Sequence, residues 1–176
     1  MIYHNTSRKV TVMKKLWLWI KSYLPAYAIG IAIPVSIGLL SSYLTMNSMK
    51  IYGEISTPPL SPPAILFPIV WSILYVLMGV SSAMVYIDRE KNSECARRSL
   101  SYYAMSLVAN FAWSIIFFNV RAFGIAFVWL LLLLYLIIRT MVGYFKVSRV
   151  SAYLQIPYAL WVAFAGYLNL GIVLLN

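Results

Sequence analysis

The chain of 176 residues is 62% hydrophobic, only 10% charged, and carries a net charge of +10 at neutral pH. This composition excludes an ordinary soluble domain and is typical of an integral membrane protein, whose partner is the lipid bilayer. The basic residues lie beside long apolar segments, so the positive charge indicates membrane topology and no nucleic-acid partner.

Few side chains are available for hydrolytic or metal chemistry. The single cysteine, Cys95, permits no intramolecular disulfide and no thiolate metal cluster. The single histidine, His4, permits no histidine pair and no evident Ser-His triad. All four acidic residues fall in predicted loops, which argues against a pair of catalytic carboxylates within the membrane. We therefore predict no metal site and no required cofactor.

Residues 1–22 form a basic segment that precedes the first apolar span. Trp17 and Trp19 lie there between Lys15 and Lys21, so we predict an amphipathic cytoplasmic tail at the membrane surface. Residues 24–44 are long enough to cross a bilayer, and no cleavage pattern follows them, so we predict a retained helix. Small residues recur along it every four positions and provide either a packing ridge or a homodimer face, namely Gly30, Pro34, Gly38 and Ser42.

Five prolines between positions 58 and 68 predict a stiff extended loop that leads into the second helix. Pro62 and Pro63 suit the first turn of a helix, because their missing N–H groups would have no partner there. We predict this helix over residues 64–87. Its spacing places Trp71, Tyr75 and Met78 on one face.

The remaining sequence predicts helices at residues 99–119, 123–144 and 151–174, separated by a charged connector, a tight turn at 120–122 and a short basic segment. The third helix carries a polar and aromatic stripe of Ser106, Asn110, Trp113 and Phe117. Asn110 lies near the middle of this helix, where it either bonds to another helix or contacts a ligand. The whole predicts one five-helix membrane domain over residues 23–176, of the all-α class.

The distribution of lysine and arginine predicts the orientation of the five spans. Twelve of these residues fall on the side of the N-terminus and only Lys50 and Arg121 on the other. Because positive residues concentrate on the cytoplasmic side, we predict a multi-pass protein of a bacterial cell membrane, with its N-terminus cytoplasmic and its C-terminus external. The proline-rich loop is then external.

Residues 62–79 resemble the signature of the TspO/translocator-protein family, the tryptophan-rich sensory proteins. The matching positions are Pro62, Pro63, Phe67, Val70, Trp71, Leu74, Tyr75, Met78 and Gly79. Leu60 stands where the family usually has tryptophan. The third helix resembles the family pattern at Asn110, Trp113, Ser114, Phe117 and Phe118, and the fifth resembles it at Pro157, Tyr158, Trp161, Phe164, Ala165, Leu168 and Asn169.

The resemblance implies a five-helix bundle, commonly dimeric, with a pocket under the first loop that binds porphyrin or haem. Sterol binding belongs to the animal members, whose C-terminal motif is absent here. The aromatic residues of the three motifs form either an ordinary core or a flat apolar cavity for such a ligand. The candidate ligand-binding residues are Leu60, Phe67, Trp71, Tyr75, Asn110, Trp113, Phe117, Tyr158, Trp161, Phe164, Ala165 and Leu168. Leu60 is expected to point into the cavity from the loop.

Three functions follow from the resemblance. The first is a porphyrin-binding membrane sensor or regulator, which needs no catalytic group. The second is an enzyme for light- and oxygen-dependent porphyrin breakdown, in which Trp71 and Trp161 would be the redox-active side chains. The third is a transporter of porphyrins or other hydrophobic molecules. Broken helices, internal repeats and intramembrane charges would favour it, and the sequence shows none of these except weak proline interruptions of the first helix.

Overall fold

The computed structural model describes residues 3–48 and 53–176, with side chains from residue 21 onward. The six α-helices are α1 (Tyr3–Thr45), α2 (Leu66–Ile87), α3 (Ser93–Ser114), α4 (Phe123–Phe145), α5 (Arg149–Leu154) and α6 (Ile156–Leu175). Five stretches are long and apolar enough to cross a membrane, with α5 and α6 together forming the fifth. The protein is an all-α, five-span membrane protein, as the hydropathy pattern predicts.

The first helix begins much earlier than predicted. α1 runs without interruption from Tyr3 to Thr45, whereas the sequence predicts a separate tail before residue 24. Pro25 and Pro34 lie inside this helix and do not end it. Its membrane span, Lys21–Thr45, nevertheless agrees with the predicted apolar segment. The predictions for the side chains of residues 1–20 and for Lys50 lie outside the described residues.

The small-residue ridge of α1 faces α2. A Cβ atom at Gly30 would lie 2.7 Å from the carbonyl oxygen of Gly79, and Pro34 is fully buried. A Cβ atom at Gly38 would overlap the ring of Tyr75. The ridge therefore serves close packing within the chain, because small residues let two helix backbones approach. The expected homodimer stays a prediction, and Gly30 and Gly38 are packed against α2.

α3 begins six residues before its predicted start and ends in an unusual turn. The Asn92 side chain accepts a hydrogen bond from the backbone N–H of Cys95, and this cap stabilises the charged first turn. After Ser114 the chain continues as a π-helical turn over Ile115–Asn119. The tight turn at residues 120–122 lies where it was predicted, and Arg121 there has a φ of 58°.

The fifth span is interrupted between α5 and α6. Gln155 lies at the interruption, and Pro157 follows at the second residue of α6, where it cannot donate the hydrogen bond that a continuous helix needs. The buried Gln155 side chain donates from Nε2 to the Ser81 hydroxyl at 3.2 Å, and Ser81 donates to the Ser151 carbonyl oxygen at 2.8 Å. This polar contact fixes the interruption against α2.

The spans form a closed ring around an apolar core. Around the bundle, α1 is followed by α2, the α5–α6 span, α4 and α3, which contacts α1 again. Met78, Leu133, Ile137 and Tyr144 are among the largest fully buried side chains. α1 ends, α2 begins, and α3 and α6 end at the same end of the bundle, which we call the loop end. The opposite end, with residues 88–92 and 146–148, we call the basic end.

We predict that the basic end faces the cytoplasm, because most lysines and arginines lie there. Cys95 lies near that end and is partly exposed. A membrane-impermeant thiol reagent applied to intact cells should therefore leave Cys95 unlabelled until the membrane is opened. A Cys95→Ser, Glu54→Cys variant carries its thiol at the loop end and should be labelled at once. Labelling of Cys95 in intact cells would contradict the predicted topology.

Candidate ligand cavity

A cavity of about 380 Å³ lies at the loop end, between α1, α2, the end of α3 and α6. This volume is within the range of about 300–1,000 Å³ that is usual for small-molecule sites. The residues that line it are Val35, Gly38, Leu39, Ser41, Ser42, Thr45, Ala64, Phe67, Pro68, Trp71, Ser72, Tyr75, Val76, Trp113, Ser114, Phe117, Phe118, Ala165, Leu168, Asn169 and Ile172. The lining is mostly apolar, and none of these side chains is charged.

α2 contributes one aromatic wall. Phe67, Trp71 and Tyr75 recur every four residues, so they project from one face of the helix into the cavity. The Trp71 and Tyr75 rings are stacked, with centroids 5.4 Å apart. The proline-rich segment sets the start of this face: the N–H of Leu66 donates to the Pro63 carbonyl oxygen at 2.9 Å, and α2 begins two residues later than predicted.

The end of α3 contributes a second aromatic wall. The Trp113 and Phe117 ring centroids are 5.2 Å apart, and Phe117 and Phe118 meet edge to face at 4.9 Å. Phe117 and Phe118 lie in the π-helical turn, where the N–H of Val120 donates to the Ile115 carbonyl oxygen. Such turns are often found at functional sites. Both phenylalanines line the cavity.

Two asparagines hold these walls in place. Asn169 on α6 accepts a hydrogen bond from Trp113 Nε1 at 3.4 Å and donates from Nδ2 to the Phe123 carbonyl oxygen at 2.9 Å. Asn110 on α3 donates from Nδ2 to the Tyr75 hydroxyl at 3.4 Å. Asn110 is buried behind the lining, and its bond joins α3 to α2; contact with a ligand stays a prediction. Its Oδ1 atom has no partner among the described residues.

Four of the predicted site residues on α6 divide between the cavity surface and a layer behind it. Ala165 and Leu168 line the cavity. Trp161 does not; its ring meets Phe67 at 5.9 Å and Phe164 at 5.7 Å. Phe164 likewise lies outside the lining. Of the two tryptophans expected at one cavity, only Trp71 therefore reaches it directly, and Trp161 contacts it through Phe67.

Tyr158 also lies in this second layer. It is fully buried near the start of α6, and its ring meets Trp71 at 6.2 Å in an edge-on arrangement. Tyr158 therefore supports the position of the indole that faces the cavity.

The loop between α1 and α2 is attached to the end of α6. Pro58 is buried against Gly171, and the Tyr167 hydroxyl donates to the Pro59 carbonyl oxygen at 2.9 Å. Asn176 exchanges hydrogen bonds of 3.0 Å with both backbone groups of Ser56. These contacts hold the loop across the loop end of the bundle.

Leu60 does not point into the cavity, contrary to the expectation from the sequence. Its side chain is 82% exposed, and its φ of 67° lies in the left-handed region. The exposure shows that the side chain faces away from the bundle. Leu60 therefore does not line the cavity described here.

Sequence reasoning missed the contribution of α1 to the cavity. Gly38, Ser42 and Thr45 line it, and Gly38 leaves room for the Tyr75 ring. The recurrence of small side chains every four residues indicates that something packs closely against α1. It does not indicate whether this is another helix or a ligand. Asn169 was visible as the last position of the fifth-helix motif.

The fold and the cavity define a class: a five-span α-helical membrane protein with an aromatic, uncharged cavity at one end of the bundle. The TspO/MBR family profile matches residues 30–175. The chain belongs to the TspO/MBR family, as its motifs indicate.

Curated relatives from different kingdoms match most of the chain. It is 33% identical to the tryptophan-rich protein TspO of Chlorobaculum tepidum, over 85% of this chain and 94% of the relative. It is 35% identical to the translocator protein of Bos taurus, over 81% of this chain and 85% of the relative. Protein CrtK of Rhodobacter capsulatus is 34% identical to it, over 71% of this chain and 78% of the relative.

Proposed function

We propose that this protein binds a porphyrin in the cavity at the loop end and acts as a membrane sensor or regulator. The observation that carries the proposal is the lining itself, in which two aromatic walls on α2 and α3 enclose an apolar space without any charged side chain. Flat aromatic ligands match such a space, because their faces stack on aromatic rings and lose contact with water.

Burial of the ring supplies the affinity. Apolar surface removed from water contributes roughly 25 cal/mol per Å², so a large flat ring needs no ionic contact to bind. The polar atoms of Ser42, Thr45 and Asn169 offer hydrogen bonds at the edges of the cavity. Because no lining group is cationic, the carboxylates of a porphyrin should remain solvated at the loop end.

The lining favours a metal-free porphyrin over haem. Haem iron usually takes an axial ligand from histidine, cysteine, methionine or tyrosine. The lining residues include no histidine, cysteine or methionine, and the one tyrosine, Tyr75, is hydrogen-bonded to Asn110. We therefore expect protoporphyrin to bind at least as tightly as haem.

The test is a titration of the purified protein with protoporphyrin, first in the dark and then under illumination. Saturable quenching of tryptophan fluorescence with an unchanged porphyrin spectrum supports a binding protein. Loss of the porphyrin absorption band that requires both light and the protein supports the enzyme. Quenching that never saturates, and that lipid vesicles reproduce alone, would contradict both.

A second candidate, light- and oxygen-dependent porphyrin degradation, is favoured by the exposure of Trp71 to the cavity. In this alternative the porphyrin absorbs the light, the Trp71 indole gives an electron to the excited ring, and oxygen, as the oxidant, takes up the electron. The lining contains no acid–base pair, and such photochemistry does not require one. Trp161 lies behind Phe67 and would act at longer range.

Replacement of Trp71 by Phe separates binding from chemistry. Phe keeps an aromatic face, so the binding free energy should weaken by about 1 kcal/mol or less. Phe is much harder to oxidise than indole, so any light-dependent degradation should fall steeply. The matched control is Trp129→Phe, because Trp129 donates to the Ala109 carbonyl oxygen on α3 and does not line the cavity. Degradation by the Trp71→Phe protein at the parent rate would remove the support for the enzyme.

A further inference from the structure

Among the described basic residues, Arg139 lies farthest from the end of a membrane span. Arg139 precedes the end of α4 at Phe145 by six residues, which places its Cα about 9 Å inside the helix end. The other described basic side chains lie at the start of a span, in the first turns of α3 or α5, or in the connectors. Apart from Arg121 at the loop end, these residues follow the preference for positive charge at the cytoplasmic surface, whereas that preference does not explain Arg139.

Two tyrosines hold the Arg139 guanidinium group. Its Nη1 atom donates to the hydroxyl of Tyr135 at 2.9 Å, and its Cζ atom lies 5.0 Å from the ring centroid of Tyr102 and 5.7 Å from that of Tyr135. Tyr135 is one turn closer to the membrane centre. The guanidinium is thus bonded to a residue one turn deeper, whereas an arginine near a helix end usually extends towards the surface.

Arg139 has no carboxylate partner in the described part of the chain. The ion pairs found there are Lys91 with Asp88 and Arg97 with Glu94. Arginine has five N–H donors, and the side chain is partly exposed in the groove between α3 and α4. A charged group left without an anion at this depth is costly. The arrangement therefore favours an anionic acceptor from outside the protein.

We propose that Arg139, Tyr102 and Tyr135 bind the phosphate group of an anionic phospholipid. Guanidinium and phosphate form paired, charge-assisted hydrogen bonds, and the two tyrosines fix the orientation of the planar guanidinium group. A free phosphate ion offers the same chemistry, but the surface beside Arg139 favours a lipid. Exposed apolar side chains share the Arg139 face of α4 towards the membrane centre, namely Val128 and Leu131, and can contact an acyl chain.

The test measures binding of phosphatidylglycerol to the detergent-purified full chain, by native mass spectrometry and by the shift of the melting temperature. Arg139→Gln should weaken phosphatidylglycerol binding about tenfold, because it removes the charge-assisted pair. Tyr135→Phe, which loses only one hydrogen bond, should weaken it about threefold. Arg139→Lys keeps the positive charge but lacks the paired N–H donors of the guanidinium, so it should bind phosphatidylglycerol more weakly than the parent. This variant replaces Arg139→Gln as the test if the glutamine variant folds poorly.

The matched control is Arg89→Gln. Arg89 also lies over a tyrosine, with its Cζ atom 4.3 Å from the Tyr86 ring centroid, but it follows the end of α2. Its replacement should change phosphatidylglycerol binding less than twofold. Unchanged binding in both Arg139 variants would overturn the proposal. An equal stabilisation by inorganic phosphate at the same concentration would also overturn it, since the ligand would then be a free anion.

Discussion

Replacement of Ala165 by Phe should weaken protoporphyrin binding at least tenfold, which corresponds to about 1.4 kcal/mol. Ala165 lines the cavity between the aromatic walls of α2 and α3, and its small side chain leaves the space that a flat ring would occupy. A phenyl group at this position would fill part of the cavity of about 380 Å³. Fluorescence titration in the dark measures the change.

The control for this variant is Ala163→Phe. Ala163 lies on the same helix, is exposed, and does not line the cavity. The same added volume should change the affinity less than twofold there, since a phenyl group facing lipid displaces no ligand. Equal affinities for the two variants would show that porphyrin binds elsewhere.

The second large effect is expected at the contact between α1 and α2. A Cβ atom at Gly79 would lie 2.7 Å from the Gly30 carbonyl oxygen and still closer to the Cα atom of Ile31. Both obstacles are backbone, so α1 must move away. Gly79→Ala should therefore lower the free energy of unfolding by about 1–3 kcal/mol, although alanine has the higher helix propensity.

Gly166→Ala should change the free energy of unfolding in the opposite direction. Gly166 lies in α6, and a Cβ atom there meets nothing within 4 Å. The substitution should raise the free energy of unfolding by roughly 0.5–1 kcal/mol, because only the helix propensity changes. Thermal unfolding in one detergent compares the two variants. A Gly79→Ala protein as stable as the parent would mean that α1 and α2 pack less closely than described.

Hydropathy was sufficient to predict the number and order of the spans but not all of their ends. The start of α4 at Phe123 agrees with the prediction, because the preceding turn interrupts an otherwise apolar sequence. α3 begins earlier, at Ser93, because the Asn92 cap and the Arg97 pair with Glu94 stabilise a charged turn that hydropathy assigns to a loop. The interruption at Gln155 depends on a contact with Ser81 on another helix.

The aromatic composition of the cavity could be predicted from the family motifs. Which of these residues line the cavity and which lie behind the lining could not. Helical spacing places Trp161 and Ala165 on one face of α6, yet only Ala165 reaches the cavity. The difference arises because Phe67, from α2, lies against the Trp161 ring. Leu60 was misplaced because spacing does not reveal a left-handed backbone in a loop. The position of Trp161 depends on a contact between distant parts of the chain, whereas that of Leu60 depends on a local backbone conformation.

The central claim, that porphyrin occupies this cavity, is tested most directly by thiol protection at Ser72. Ser72 lines the cavity, and its hydroxyl donates to the Pro68 carbonyl oxygen at 2.8 Å. Ser101 makes the same kind of bond to the Arg97 carbonyl oxygen at 3.0 Å, but lies near the basic end of α3. Each serine is replaced by cysteine in a Cys95→Ser protein.

Thiol labelling of the two variants is then timed in the dark, with and without protoporphyrin. At a ligand concentration ten times the dissociation constant, the Ser72→Cys thiol should react about tenfold more slowly, because the site is occupied most of the time. The Ser101→Cys thiol should react at an unchanged rate. Equal labelling rates with and without ligand at Ser72→Cys, under conditions where protoporphyrin is bound, would contradict the account.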